Sequence, residues 1–201
     1  MKRIIINKKL VLDEIQRLIG PMEITDDVVN EILKVATIQK IKKHENILKA
    51  GEVDDFFGVV LKGIVQVYHY QGDKMVSDYF GSEGFCFFDV DSFLTSKPSE
   101  AYIEALEPTV IAKFDRNQFL KLGETNIVYD NIYRRILQYM IKLSNDRLNS
   151  ILHESAEEKY ENLEKRVPGL TSRVSAINVA SYIGVTQETL CRIKSKQGDL
   201  L

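Results

Sequence analysis

The sequence has no tryptophan and only four prolines, three histidines and two cysteines in 201 residues. Cys86 and Cys191 are too few and too far apart for a disulfide framework or a zinc site of paired cysteines, and four thiolates for an iron–sulfur cluster are not there within one chain. His44, His69 and His153 are scattered, so they do not supply the converging histidines of a cupin-type metal centre. His44 sits among Lys42, Lys43 and Glu45 as a solvated turn, and His69 reads first as a strand residue between Tyr68 and Tyr70, with a lone haem or metal role a minor alternative. No apolar run reaches the roughly 18–20 residues of a membrane-spanning helix; Phe56 to Leu61 is typical of the longest. After Lys2 and Arg3, the stretch Ile4 to Ile6 stops at Asn7, Lys8 and Lys9, too soon for a secretory leader, so a cytoplasmic chain is expected. There is no glycine-rich phosphate loop and no Ser, His and carboxylate set in a recognisable motif; the sequence reads as a non-enzyme that implies no cofactor or metal.

What is present is an ordinary globular composition, 44% hydrophobic with a net charge of −2. That balance excludes a wholly basic nucleic-acid binder and shifts attention to local charge. Thr25-Asp26-Asp27 caps a helix whose apolar positions Val28, Ile32, Leu33 and Ala36 recur at helical steps. From Thr37 to Asp115 the texture is β-branched and aromatic: Phe56 to Leu61, Ile64 to Tyr70, Met75 to Phe80, Ala101 to Leu106 and Val110 to Phe114 read as strands. Turn signals separate them at Lys49 to Glu52, Lys62-Gly63, Gln71 to Asp73, Gly81 to Gly84 and Glu107-Pro108. These predict an antiparallel sandwich or roll.

Helical periodicity returns around Gln118 to Leu122 and, past Gly123, in a long stretch. Ile132, Ile136, Tyr139, Met140, Leu143, Leu148, Ile151 and Leu152 recur every three to four residues over about seven turns without proline or glycine. Such a helix either packs on its own roll or forms a dimer seam. Its length favours the seam, with Ile132, Ile136, Tyr139, Met140 and Leu143 as the interface, although Asn145 to Arg147 interrupt the heptad. The weakly amphipathic segment Glu154 to Arg166 comes next, through Ala156, Tyr160 and Leu163, and Pro168-Gly169 breaks it. The organisation expected is a sensor roll with flanking helices over 1–123, a long helix over 124–153 and a small helical domain over 154–201.

Within that small domain, Ile177 to Ile193 has helix-turn-helix spacing: Ala180 precedes Gly184 by four residues and Leu190 follows Gly184 by six. Ala180 lets two helices approach, Gly184 takes the positive φ of the turn, and Val179, Ile183, Val185, Leu190 and Ile193 form the little core. Thr186 is the natural N-cap of the second helix and Cys191 a small packing residue. Gln187, Glu188, Thr189 and Arg192 then lie toward the open face: Arg192 matched to guanine, Glu188 to cytosine, and Gln187 to adenine or a phosphate. Lys194 and Lys196 suit phosphate contacts. Acidic residues crowd Glu154 to Glu164, whereas from Lys165 onward Lys and Arg outnumber Asp and Glu. The plainer alternative is a helical hairpin whose basic residues are only solvated surface.

Phe57 to Val67, a strand–glycine–strand hairpin around Lys62-Gly63, and Ile183 to Arg192 resemble the corresponding segments of the Crp/Fnr family of bacterial regulators. The order of roll, long helix and helix-turn-helix extends the resemblance over nearly the whole chain. It implies an α+β fold and a homodimer joined along the long helix. The partners implied are a two-fold symmetric double-stranded DNA operator with half-sites roughly 34 Å apart, and RNA polymerase as a further candidate. The family commonly reads bases with a Glu and an Arg four residues later; Glu188 and Arg192 match, while Gln187 stands where several members have Arg. Many members add a β-hairpin wing after the recognition helix, and here the chain ends at Leu201 without a complete one.

Family members that bind cyclic AMP resemble one another in a Gly-Glu pair followed by an Arg-Ser or Arg-Thr pair. Aligned on Ala101 to Ala105, this chain has Phe88-Asp89 and Ser99-Glu100 at those pairs. The phosphate-pairing arginine is missing, and Asp89, Asp91 and Glu100 oppose an anion, so no tight binding of cyclic AMP is expected. Lys97 beside Pro98 reads as a solvated loop lysine. Phe85, Phe87, Phe88 and Phe93 fill core where the family holds a ligand or, alternatively, line an apolar effector pocket; Phe85, Phe87 and Phe88 are also apolar neighbours of Cys86 and make its thiol inert. A second class of function remains beside the regulator: a binding module whose C-terminal helices dock a protein partner.

Overall fold

A computed structural model describes residues 25–198. The stretch Lys2 to Lys9, the rest of 1–24 and the chain end at Leu201 lie outside the described residues. Helix α1 (Asp26–Lys34) starts at Thr25, whose hydroxyl accepts from Val28 N–H, and buries Val28, Val29 and Ile32. Eight strands succeed it: β1 (Ala36–Ile41), β2 (Asn46–Leu48), β3 (Phe56–Lys62), β4 (Val65–Gln71), β5 (Lys74–Gly81), β6 (Cys86–Phe87), β7 (Tyr102–Ala105) and β8 (Thr109–Asp115). They form two four-stranded antiparallel sheets, β1-β8-β3-β6 and β2-β7-β4-β5, which enclose one apolar core. The five runs predicted from composition are strands; β1, β2 and β6 add partners whose pattern is less distinct.

Strand β3 is buried from Phe56 to Leu61 because it runs between β8 and β6 with both faces covered. At its centre, a Cβ on Gly58 would lie 2.2 Å from the ring of Phe87, so glycine there makes room for the aromatic. Phe57, Phe114 and Phe119 stack and cross at the end of the core. Between β6 and β7 a short helix, α2 (Val90–Thr95), is capped by Asp89.

Beyond the roll come α3 (Arg116–Thr125) and the 27-residue helix α4 (Ile127–His153), which starts from an Asn126 cap. The predicted dimer seam is corrected here. Ile132, Ile136, Met140 and Leu143 are buried in the core of their own roll, and Tyr139 packs partly buried against it. A side chain already covered by its own domain has no surface left for a second copy. The opposite face carries Ile141, Leu148, Ile151 and Leu152, all more than half exposed. The interruption at Asn145 to Arg147 has the same origin: two apolar stripes on different faces overlap in sequence, and Arg147 continues the buried one.

Four shorter helices complete the described chain: α5 (Ala156–Arg166), α6 (Leu170–Arg173), α7 (Ala176–Ile183) and α8 (Gln187–Gly198). A capping box between Ser155 and Glu158 starts α5. Tyr160, Leu163, Leu170, Val179, Ile183, Leu190 and Ile193 form a second apolar cluster, and Ile64, Phe80 and Leu106 of the roll belong to the same cluster. The C-terminal helices therefore sit on the roll rather than apart from it.

Candidate functional site

Helices α7 and α8 meet at a tight turn. Gly184 caps α7 with φ +86°, in the region where only glycine is unstrained, and Val185 N–H returns to Ala180 C=O at 3.0 Å. Ala180 and Val179 are buried beneath the turn, and Leu190 and Ile193 of α8 close over them, with Val185 half-buried at the rim. The Thr186 hydroxyl accepts from Thr189 N–H at 3.2 Å and so caps α8. Gln187, Glu188 and Arg192 are exposed on one face of α8, while Thr189 and Lys194 are half-buried. Lys196 is exposed and lies 3.7 Å from Glu157 of α5. Cys191 departs from expectation: it is exposed beside Arg192 rather than packed, because the contacts with α7 fall to Leu190 and Ile193.

The second candidate site lies between the roll and α4. An inner cavity of about 150 Å³ is lined by Val67, Tyr79, Phe85, Phe87, Phe88, Val90 and Met140. It shares Asp78, Asp89 and Ala101 with an open mouth of about 550 Å³, where His69, Asp91, Lys97, Pro98 and Glu100 stand. Phe87 and Phe93 are fully packed in the core, so the aromatics both fill core and wall the cavity. Four carboxylates face one lysine at the mouth, and Lys97 is exposed as expected.

Asp89 and Ser99, the positions aligned with the ligand-holding pairs, satisfy each other: Ser99 Oγ donates to Asp89 Oδ2, and Asp89 Oδ1 accepts from Asp91 and Ser92 N–H at the start of α2. Asp89 N–H in turn donates to Asp54 Oδ2 at 2.7 Å, and Ser92 Oγ accepts from Asp54 N–H at 2.8 Å. Asp54 is fully buried, and desolvation pushes its carboxyl up to about 7 despite the two backbone N–H donors that oppose the shift. Cys86 is fully buried, and desolvation pushes its thiol up to about 12, an inert side chain.

Asp54 and Arg147 are the residues that sequence reasoning passes over. Asp54 lies in an acidic pair that looks like a turn. Arg147 is legible in principle, four residues after Leu143 and seven after Met140 on the buried stripe.

Residues 38–126 match the family described as the cyclic nucleotide-binding domain. Among solved structures, FixK2 from Bradyrhizobium japonicum superposes with a TM-score of 0.70 at 19% identity, over 83% of this chain and 86% of that one. A CooA double mutant from Carboxydothermus hydrogenoformans gives 0.64 at 20% identity over 89% and 87%. The global regulator CLP of Xanthomonas campestris gives 0.64 at 13% identity over 88% and 94%. No curated protein matches the sequence. The fold is thus a roll, most of it matching the cyclic nucleotide-binding domain, joined by a long helix to a helix-turn-helix. Its fold is that of the Crp/Fnr regulators that its sequence resembles.

The buried Asp54 generates a pH dependence with a definite sign. Its carboxyl is raised on folding, so the folded chain holds a proton that the unfolded chain releases between about pH 4 and 7. Stability from this group is fully present below about pH 4 and is lost progressively as pH rises through about 7, above which it no longer changes. Urea unfolding at pH 6 and pH 8 should give an increment of about 1 kcal/mol in favour of pH 6 that Asp54→Asn lacks. Parallel profiles for the two proteins would show that Asp54 does not titrate there.

Proposed function

We propose that this chain is a cytoplasmic, sequence-specific DNA-binding transcription regulator that acts as a homodimer on a palindromic operator and does not respond to cyclic AMP. The observation that carries the reading is the capped, glycine-turned helix pair that leaves Gln187, Glu188 and Arg192 exposed together on the first turns of α8. That is where a major-groove helix offers side chains to base edges. The likeness to CLP, described as a c-di-GMP responsive global regulator that links cell-cell signaling to virulence gene expression, supports the same class. RNA polymerase is the further partner that the resemblance brings with it.

A dimer needs an apolar face that the roll leaves free. Ile141 and Leu148 are seven residues apart, Ile151 and Leu152 continue the stripe, and all four are exposed. A second copy laid along this face buries them with coiled-coil spacing. For cyclic AMP, a cleft whose mouth carries Asp78, Asp89, Asp91 and Glu100, with Ser99 in place of the arginine, disfavours a phosphate diester. Titration calorimetry should register no heat of binding with cyclic AMP at millimolar concentration, and a micromolar dissociation constant would contradict this part of the reading.

Selection from a random duplex library at near-physiological salt, without ligand, tests the function directly. A two-fold symmetric motif supports it; salt-insensitive capture of a protein partner with no selected duplex supports the docking module instead. With the operator in hand, Arg192→Ala should cost about 1–3 kcal/mol and relax preference at one base pair per half-site. A loss of equal size on every duplex would contradict base reading. The double substitution Ile141→Asp with Leu148→Asp should give a folded monomer by sedimentation, whereas Ile136→Ala should lower stability by about 2–4 kcal/mol and leave the dimer intact. A dimer that survives the aspartates places the interface elsewhere.

A further inference from the structure

The contact between the helix-turn-helix and the roll is a built polar joint with Ser77 at its centre. Ser77 lies on β5, an outer strand of its sheet, beside a register shift opposite Val67 and Tyr68 that leaves Asp78 as the extra residue. Such an edge leaves backbone donors and acceptors that need cover. Here the cover comes from the DNA-reading part. Ser77 N–H donates to Ser181 Oγ of α7 at 3.0 Å, and Ser181 Oγ donates to Met75 C=O at 2.7 Å. Ser77 Oγ donates to Asn178 C=O and accepts from Gln66 Nε2, while Asn178 Nδ2 donates back to Gln66 Oε1 at 2.9 Å. The remaining group, Ser77 C=O, accepts from Nη2 of Arg147 on α4; the same nitrogen reaches Tyr182 C=O at 2.9 Å. Every hydrogen-bonding group of a fully buried serine is therefore committed, and three elements converge on it.

We propose that Ser77, Ser181, Asn178 and Arg147 are positioning residues for operator reading: they fix the helix-turn-helix on the roll and so set the separation of the two recognition helices. The proposal rests on the dimeric regulator described above. Neither Asn178 nor Ser181 belongs to the small core of Val179, Ala180, Leu190 and Ile193, and neither lies on the exposed face of α8. The joint leaves Gln187, Glu188 and Arg192 open, so it holds the reading face without covering it. Moving one half-site by a single base pair shifts it about 3.4 Å along the axis and turns it about the duplex. A rigid joint does not accommodate such a shift; a loose one does.

The test measures affinity for duplexes that keep the selected half-sites and change only their spacing by one or two base pairs, together with affinity for a single half-site. Wild type is expected to prefer one spacing by roughly tenfold or more, because a second half-site in register is bound at high effective concentration. The double variant Asn178→Ala with Ser181→Ala, and separately Ser181→Asp, which sets a carboxylate against Met75 C=O, are expected to flatten that preference to about twofold with single half-site affinity unchanged. Retention of the wild-type spacing preference by both variants overturns the inference. A parallel loss of single half-site affinity also overturns it, since the residues would then serve the integrity of the helix pair. A wild type that selects no duplex at all overturns the regulator reading, and this inference with it.

Discussion

The burial of one stripe of α4, Ile132, Ile136, Met140 and Leu143, against the roll orients the rest of the molecule. Fully burying an aliphatic side chain stabilises by roughly 1.5–3 kcal/mol, so four at helical spacing lock the rotation of the helix about its axis. Once that rotation is fixed, Met140 becomes a wall of the inner cavity and Arg147 points at β5 and α7. Ile141 and Leu148 have no remaining direction but outward. The cleft, the joint to the helix-turn-helix and the free apolar face are three consequences of one packing contact.

The parts of this architecture legible in the sequence are those written in local patterns. The alternation of Ile64 to Tyr70 and the run Phe56 to Leu61 mark strands; Thr186, Gly184 and Ala180 mark the helix-turn-helix, since each performs a backbone task that few residues can perform. What the local pattern misassigns depends on tertiary choice. Periodicity identifies an apolar face on α4 but not whether the roll or a second chain covers it, and merging two stripes produces a false seam with a false break at Arg147. Cys191 is misplaced for a related reason: a residue next to buried Leu190 is inside or outside according to a helix rotation that only the contact with α7 fixes. Asp54 and Ser77 leave no trace, because a buried polar residue is recognised by its partners, which lie up to 104 residues away in the chain.

The polar frame at the mouth of the cleft is closed on itself. Asp89 caps α2 with one carboxylate oxygen and takes the Ser99 hydroxyl on the other, and its backbone is tied to Asp54. Groups at the aligned ligand-holding positions are hydrogen-bonded to one another, so any molecule that enters must replace bonds already made as well as face the carboxylates at the mouth. A ligand shifts a conformational equilibrium only through its differential affinity for the two arrangements. A frame already satisfied reduces that difference.

That contact is not uniformly favourable, and its weak point is specific. Arg147 stacks on the Tyr182 ring at 3.9 Å and gives Nη2 to two carbonyls, yet its Nε and Nη1 are buried without a partner among the described residues. Leaving donors of a buried cation unpaired costs of the order of 1–3 kcal/mol or more. Against this stand the bonds of Ser77, the ion pair of Arg173 with Glu107, and the burial of Phe80 against Tyr182. Apolar burial and polar matching hold the C-terminal helices on the roll, while one buried guanidinium keeps the balance from being one-sided. An arginine at this position, rather than a leucine, is what makes the orientation of the helix-turn-helix depend on bonds with direction: the apolar cluster alone tolerates sliding, whereas a single nitrogen shared between Ser77 C=O and Tyr182 C=O does not.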